Sequence, residues 1–146
     1  MKNIFYFLTC LFAISCSNVK STFSNDKLNM EDKIIQYKIK KAKAEESNKS
    51  ILFLTSGFEN DTIQIINGKE VLVNEPLETI AQLSLTTVQT VNNEEEVKIN
   101  ILSKKPTRIS LNTGKLKTHK FIYIKRDIFN RKKYLVEYTN QSRNFL

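Results

Sequence analysis

The sequence predicts an all-β protein: a small antiparallel β-sandwich in residues 51–146, preceded by a flexible tether and a candidate short helix. Three observations predict it. From Ile51 onward, short runs rich in Ile, Val, Thr, Tyr and Phe alternate with turn-forming residues. Several runs alternate apolar and polar residues, which is typical of half-buried strands. Asn67-Gly68 separates two of the runs, and this dipeptide favours a two-residue hairpin turn.

The first fifteen residues read as a leader. Lys2 gives a short positive region, residues 4–14 are apolar except for Thr9, and the small residues Ala13 and Ser15 stand near the end. The apolar run is shorter than the about 20 residues that a bilayer-spanning helix needs. The three-part pattern is typical of a secretory signal peptide.

Cysteine follows the leader directly, and Ala13-Ile14-Ser15-Cys16 resembles the lipobox of bacterial lipoproteins. The resemblance implies removal of residues 1–15, diacylglyceryl transfer to the Cys16 thiol and lipid anchoring to a membrane of the bacterial cell envelope. The alternative is plain secretion, with Cys16 an incidental thiol beside the cleavage site.

Residues 16–50 are predicted to hold the lipidated cysteine, the tether and the helix. Residues 17–29 are polar and lack hydrophobic periodicity, which indicates a flexible tether. Beyond them, Asn29 could cap a helix on which Ile35, Ile39 and Ala42 share one stripe. Residues 35–39 also alternate as a strand would, and a longer tether is the third alternative.

Eight runs are predicted as strands, and turn signals or proline separate them. Pro76 is expected to end the third run because proline cannot donate to a β-ladder. Residues 121–125 are continuously apolar and aromatic up to Lys125, which indicates a central strand. The runs are 51–55, 62–66, 70–73, 83–91, 97–101, 108–111, 121–125 and 134–138.

This number of strands and their hairpin spacing resemble immunoglobulin-like accessory domains of exported bacterial proteins. The resemblance implies two packed antiparallel sheets. It does not include the Cys-Trp-Cys pattern of antibody domains, because the chain has no Trp and both of its cysteines, Cys10 and Cys16, lie in or directly after the leader.

Charge is unevenly distributed along the chain. Residues 51–100 hold two lysines against eight acids, whereas residues 101–146 hold twelve Lys or Arg against two acids. Such an imbalance can mark a surface for an acidic partner. It can equally mean that the two segments lie side by side and neutralise each other.

Residue types that carry catalysis or bind metals are scarce. His119 is the only histidine, and cleavage before Cys16 would leave no thiol other than the acylated one. We therefore predict no metal site, no cofactor and no enzymatic activity. Four turn carboxylates could in principle pair for hydrolysis, but turn acids are usually solvated: Glu59, Asp61, Glu75 and Glu78.

One basic stretch near the C-terminus interleaves cations with aromatic residues and could bind an anionic glycan, a lipid headgroup or an acidic protein. The alternative is that Phe121 and Tyr123 fill the core while the cations are solvated. Nucleic acid is not expected as a partner, because an exported chain rarely meets it. The candidate ligand-binding cations are Lys120, Lys125, Arg126, Arg131, Lys132 and Lys133.

Together these features predict a membrane-anchored envelope lipoprotein with a non-enzymatic binding or scaffolding domain. Its partner would be an envelope protein or an anionic glycan. The alternatives are an accessory subunit of an envelope complex and a small secreted hydrolase or hydrolase inhibitor.

Overall fold

The computed structural model describes residues 18–145. The leader and the predicted lipidation site Cys16 lie outside the described residues. Within them, nine strands and two short helices form the fold. The strands are β1 (Val19–Phe23), β2 (Lys49–Leu54), β3 (Asp61–Asn67), β4 (Glu70–Leu77), β5 (Thr87–Asn92), β6 (Val97–Leu102), β7 (Thr107–Ser110), β8 (Phe121–Arg126) and β9 (Tyr134–Thr139). The helices are α1 (Lys33–Lys41) and α2 (Thr113–Leu116).

Two sheets pack face to face, which confirms the predicted all-β sandwich. The first sheet has the order β1-β9-β8-β2-β5, and the second has the order β4-β3-β6-β7. The second sheet is antiparallel throughout. The first is mixed, because β1 pairs with β9 in parallel and β2 pairs with β8 in parallel. The predicted purely antiparallel pairing therefore holds for one sheet only.

The first sheet is covered on both faces. Leu52 of β2 and Ile122 of β8 face the second sheet and belong to the main core. Phe53 of β2 and Tyr123 of β8 point to the other face, where Ile39 of α1 packs against them in a second cluster. Burial on both faces explains why β8 is a continuous apolar run, and its central position in the sheet agrees with the sequence prediction.

Helix α1 forms where the sequence predicts it, with its stripe at Ile35 and Ile39 buried. Its cap, however, is Asp32 rather than Asn29. The Asp32 carboxylate accepts hydrogen bonds from the backbone N–H groups of Ile34 (2.8 Å) and Ile35 (3.4 Å). Such a side chain satisfies donors that the first helical turn leaves unpaired.

The predicted flexible tether is corrected at residues 19–23, which form strand β1. This strand adds to β9 at the edge of the first sheet, and Phe23 stacks on Tyr138 with ring centroids 5.1 Å apart. Composition did not reveal β1 because most of its side chains are exposed. An edge strand can be held by backbone pairing to one neighbour and needs little apolar surface of its own.

Three turn regions also differ from the prediction. Strand β4 continues through Pro76, which an edge strand tolerates because one side of its backbone has no partner. Residues 83–86 precede β5 instead of forming its first half. The β3–β4 turn is centred on Gly68-Lys69, with positive φ at Gly68 (+59°), as in a type II′ turn. No helix among residues 18–145 has the length and apolar content needed to cross a bilayer.

Candidate functional site

A basic cleft lies at one end of the sandwich and has a volume of about 530 Å³. Four parts of the chain meet there: the segment of Glu59 and Asp61 between β2 and β3, the β6–β7 turn, the β8–β9 loop with the strand ends beside it, and Asn18 just before β1. They meet because β6 ends at Leu102 and β8 ends at Arg126 on the same side of the molecule, while Asn18 lies beside the start of β9. The Asn18 carbonyl accepts a hydrogen bond from the N–H of Tyr134 (2.7 Å).

Arg126 forms the floor of the cleft. Its Nη2 lies 3.2 Å from Oδ2 of Asp61 and donates to the hydroxyl of Tyr134 at 2.6 Å. The side chains of Arg126 and Asp61 are only 11% and 8% exposed. Burial by itself would lower the pKa of Arg126, but the hydrogen bonds and charges of Tyr134 and Asp61 outweigh burial and raise that pKa. The floor therefore stays positively charged and is fixed in place.

The rim of the cleft carries the more exposed charges. Arg131 forms an ion pair with Glu59, whereas Lys104, Lys105 and Lys132 are exposed and take part in none of the ion pairs found among residues 18–145. The two carboxylates in the cleft, Glu59 and Asp61, are each paired with an arginine. The lysines therefore leave the cleft with a net positive charge, available to an anion.

The six predicted cations do not form one surface. Arg126, Arg131 and Lys132 line the cleft, and Lys133 is exposed on the same loop. Lys125 precedes Arg126 by one residue and so points to the opposite face of the sheet, where it lines a different cavity with Glu137 and others.

Lys120 lies roughly 20 Å from Arg126 along β8, judged from the rise of about 3.3 Å per strand residue. Its Nζ donates to the carbonyls of Ala44 (2.9 Å), Glu46 (3.0 Å) and Lys49 (2.7 Å). Burial lowers the pKa of Lys120, opposed by the charge of Glu45. Lys120 therefore ties the segment after α1 to the sheet.

Sequence reasoning missed Lys104 and Lys105. They lie in a separate turn, Lys105 being fifteen residues before Lys120, where the predicted basic stretch begins, and the strands on both sides of this turn belong to the other sheet. Only the packing of the two sheets brings this turn beside the β8–β9 loop. The signal in the sequence was a Lys-Lys-Pro turn between two strands with buried alternate residues, Ile101 and Ile109.

Ion pairs between the basic and the acidic segment account for part of the uneven charge. Two ion pairs, Arg126–Asp61 and Arg131–Glu59, join the basic and acidic segments and neutralise part of the charge. The exposed rim lysines remain as surface charge.

Among the candidate catalytic groups, Glu75 and Glu78 are exposed to solvent, whereas Glu59, Asp61 and His119 have structural partners. Both ring nitrogens of His119 face backbone carbonyls: Nδ1 lies 2.8 Å from the oxygen of Lys115 and Nε2 lies 2.8 Å from the oxygen of Ser24. His119 is buried and connects α2 to the end of β1. Residues 18–145 hold no cluster of three or more His, Cys, Asp or Glu side chains that could bind a metal.

A second concave surface, the apolar groove, lies between α1, β5 and the C-terminal segment and has a volume of about 750 Å³. Phe53 is part of its lining, and Phe145 stacks on Phe53 with ring centroids 5.4 Å apart. Tyr37 and Val88 are exposed along it. The backbone of β5 is the free edge of the first sheet, so the groove adjoins an edge to which an extended peptide could add.

No protein-family model matches this chain, no curated protein is significantly similar to it, and no solved structure matches it significantly.

Proposed function

We propose that this protein is a membrane-anchored envelope lipoprotein, acylated at Cys16, whose β-sandwich is a non-enzymatic module that binds an anionic ligand in the basic cleft. The observation that carries the binding part is the convergence of five cations around one concavity, four from two separate loops and Arg126 from the end of β8. Their two acidic neighbours are already paired, so an incoming anion would meet uncompensated positive charge.

The absence of enzymatic activity is part of the proposal. Asp61 and Glu59 are held by arginines, and both ring nitrogens of His119 are occupied by carbonyl groups. A general base needs an accessible lone pair near its substrate. Asp61 and His119 are buried as well as paired, which favours a binding module over a hydrolase.

A binding titration tests the cleft. The probe is a soluble sulfated oligosaccharide, and the variant is Lys104→Ala/Lys105→Ala/Lys132→Ala. We expect the variant to bind the oligosaccharide at least ~10-fold more weakly. Its affinity should also depend less steeply on salt concentration, because fewer protein cations pair with sulfate groups and fewer counterions are released on binding.

The matched control carries the same loss of charge at exposed lysines outside the cleft, Lys33→Ala/Lys40→Ala/Lys69→Ala, and should bind as the unmodified protein does. Equal affinity of both triple variants would show that the cleft is not the binding site.

The anchor is tested by mass spectrometry of the mature N-terminus. We expect a chain that begins at Cys16 and carries a diacylglyceryl group. A chain that begins elsewhere, or an unmodified Cys16, would contradict the lipoprotein assignment. Either result would leave the proposal of anion binding in the cleft unaffected, because the titration tests it independently.

The apolar groove favours a second candidate function, that of an accessory subunit of an envelope complex. A photoreactive residue placed at Tyr37 should then cross-link a specific protein in intact cells, whereas the same residue at exposed Val71 on β4 should not. Equal cross-linking at both positions would indicate nonspecific contact.

A further inference from the structure

Two large apolar side chains project into solvent at the tip of the β8–β9 loop. Phe129 is 94% exposed and Ile128 is 76% exposed, more than any other large apolar residue of the described chain. Single exposed apolar residues are common on protein surfaces. Ile128 and Phe129 are consecutive at a loop tip and together form a small hydrophobic wedge. Such an exposed apolar patch indicates an interaction surface.

The loop is built to hold this wedge outward. The Asp127 carboxylate accepts hydrogen bonds from the N–H groups of Phe129 (2.8 Å) and Asn130 (3.2 Å). The base of the loop is closed by a hydrogen bond from the N–H of Asp127 to the carbonyl of Lys133 (2.9 Å). These bonds fix the backbone on both sides of the tip, so Ile128 and Phe129 do not fold back onto the sandwich.

Exposed cations lie on the same end of the sandwich as the wedge. Arg131, Lys132 and Lys133 follow it on the same loop, and Lys104 and Lys105 line the basic cleft with Arg131 and Lys132. An apolar loop tip beside exposed cations matches the surface of an anionic bilayer. Apolar side chains enter the boundary between headgroups and acyl chains, while lysine and arginine remain at the level of the phosphates.

The chain enters the domain at this same end. Asn18 lines the basic cleft, and Cys16 precedes it by two residues. Two residues span at most about 7 Å. An acyl group on Cys16 would therefore lie close to the basic end, with no long tether between the anchor and the domain.

We propose that the basic end of the sandwich, formed by the β8–β9 loop and the β6–β7 turn, docks directly onto the anionic bilayer, with Ile128 and Phe129 inserted at the headgroup boundary. The occupant of this surface is a lipid bilayer with anionic headgroups. This proposal rests on the proposed function, because it identifies the anionic ligand of the cleft as the headgroups of the anchoring membrane.

A single tryptophan tests the insertion. The chain contains no Trp, so Phe129→Trp provides the only indole. The mature protein is combined with phosphatidylcholine vesicles, with or without phosphatidylglycerol, that carry brominated acyl chains. We expect a blue-shifted emission and strong quenching of Phe129→Trp in the anionic vesicles. Val71→Trp, at a 52% exposed position near the opposite end of the sandwich, should emit as in water.

Equal emission and quenching of the two tryptophan variants would overturn the proposal. Adding Lys104→Glu/Lys105→Glu to Phe129→Trp should lower the quenching towards the Val71→Trp level, whereas Lys33→Glu/Lys40→Glu should leave it unchanged. Quenching unaffected by the first pair would contradict the role of the cations. Inorganic phosphate should not reproduce the blue shift; if it did, the cleft would be a site for free anions instead.

The failure of this proposal is distinguishable from that of the proposed function. Lipidated Cys16 and glycan binding in the cleft, together with a Phe129→Trp that stays in water, would refute bilayer docking alone. An unmodified Cys16 together with quenching on added vesicles would refute the anchor and retain the docking surface.

Discussion

At the scale of single residues, Arg126 shows how a predicted ligand-binding cation can be held by structural partners that the sequence does not reveal. The sequence left two alternatives for Arg126, a role in ligand binding or simple solvation. The structure buries the Arg126 side chain between Asp61 and Tyr134, where its charged guanidinium pairs with the Asp61 carboxylate and lies 5.2 Å from the Tyr134 ring centroid. Gly57 allows this placement, since its φ is +94° and a Cβ there would come within 2.7 Å of the Cβ of Arg126.

The buried pair yields a stability prediction. Asp61→Asn leaves the Arg126 charge buried without its carboxylate and should lower the free energy of unfolding by about 3 kcal/mol. Glu59→Gln makes the same chemical change in the exposed pair with Arg131 and should cost less than about 1 kcal/mol. Urea unfolding followed by circular dichroism measures both, and equal losses would mean that burial does not distinguish the two pairs.

Tyr123 gives a prediction about pH. Burial raises the pKa of Tyr123 to about 12, opposed by the hydrogen bond that its hydroxyl accepts from the N–H of Arg143. Between pH 10 and pH 12 the unfolded chain loses this phenolic proton while the folded chain keeps it, so stability falls as the pH rises. A shift of this size corresponds to about 2–3 kcal/mol.

Tyr123→Phe removes that proton and should lose less stability between pH 10 and pH 12 than the unmodified protein, as measured by urea unfolding at several pH values. The free energy of unfolding of the variant should still fall somewhat as the pH rises, because burial also raises the pKa of Tyr138. Parallel slopes in the two proteins would show that Tyr123 does not govern the alkaline loss of stability.

At the scale of elements, helix α1 is the part whose contribution is easiest to test. Ile39 is buried against the outer face of the first sheet, whereas Ile34 on the same helix is 51% exposed. Ile39→Ala should lower the free energy of unfolding by about 3 kcal/mol, because it leaves a cavity in the second core cluster. Ile34→Ala should change it by less than about 0.5 kcal/mol. Thermal and urea unfolding measure both variants. A similar loss of stability in Ile39→Ala and Ile34→Ala would argue that α1 does not pack on the sheet.

Elements with strong local signals could be predicted from the sequence, and those that depend on distant partners could not. Strand β6 alternates buried Val97, Ile99 and Ile101 with more exposed residues, and β8 is continuously apolar because both of its faces are covered. Strand β1 lacks such a pattern, since its pairing with β9 joins residues more than one hundred positions apart. Only part of the basic cleft could be predicted from the sequence. Arg131 and Lys132 share one loop and were predicted together, whereas Lys104 lies in a turn of the other sheet and was missed.

At the scale of the whole molecule, the two ends of the sandwich differ in charge and in exposed apolar side chains. The basic end carries the apolar wedge, the rim lysines and the entry of the chain at Asn18. The opposite end carries the acidic β5–β6 turn with Glu94, Glu95 and Glu96. Strand β6 connects the two ends and is roughly 17 Å long from Val97 to Leu102, at about 3.4 Å per residue. A protein anchored at Cys16 should therefore stand with its basic end on the membrane.

This orientation is measurable with single cysteines. In the proposed mature lipoprotein, removal of the leader would take Cys10 away and acylation would block Cys16, so an introduced cysteine would carry the only spin label. In vesicles with paramagnetic nickel-chelating headgroups, a label at Lys104→Cys should relax strongly because the β6–β7 turn faces the bilayer. A label at Glu95→Cys, at the far end of β6, should relax weakly. Equal relaxation at both positions would mean that the domain has no fixed orientation, and stronger relaxation at Glu95→Cys would mean that it is reversed.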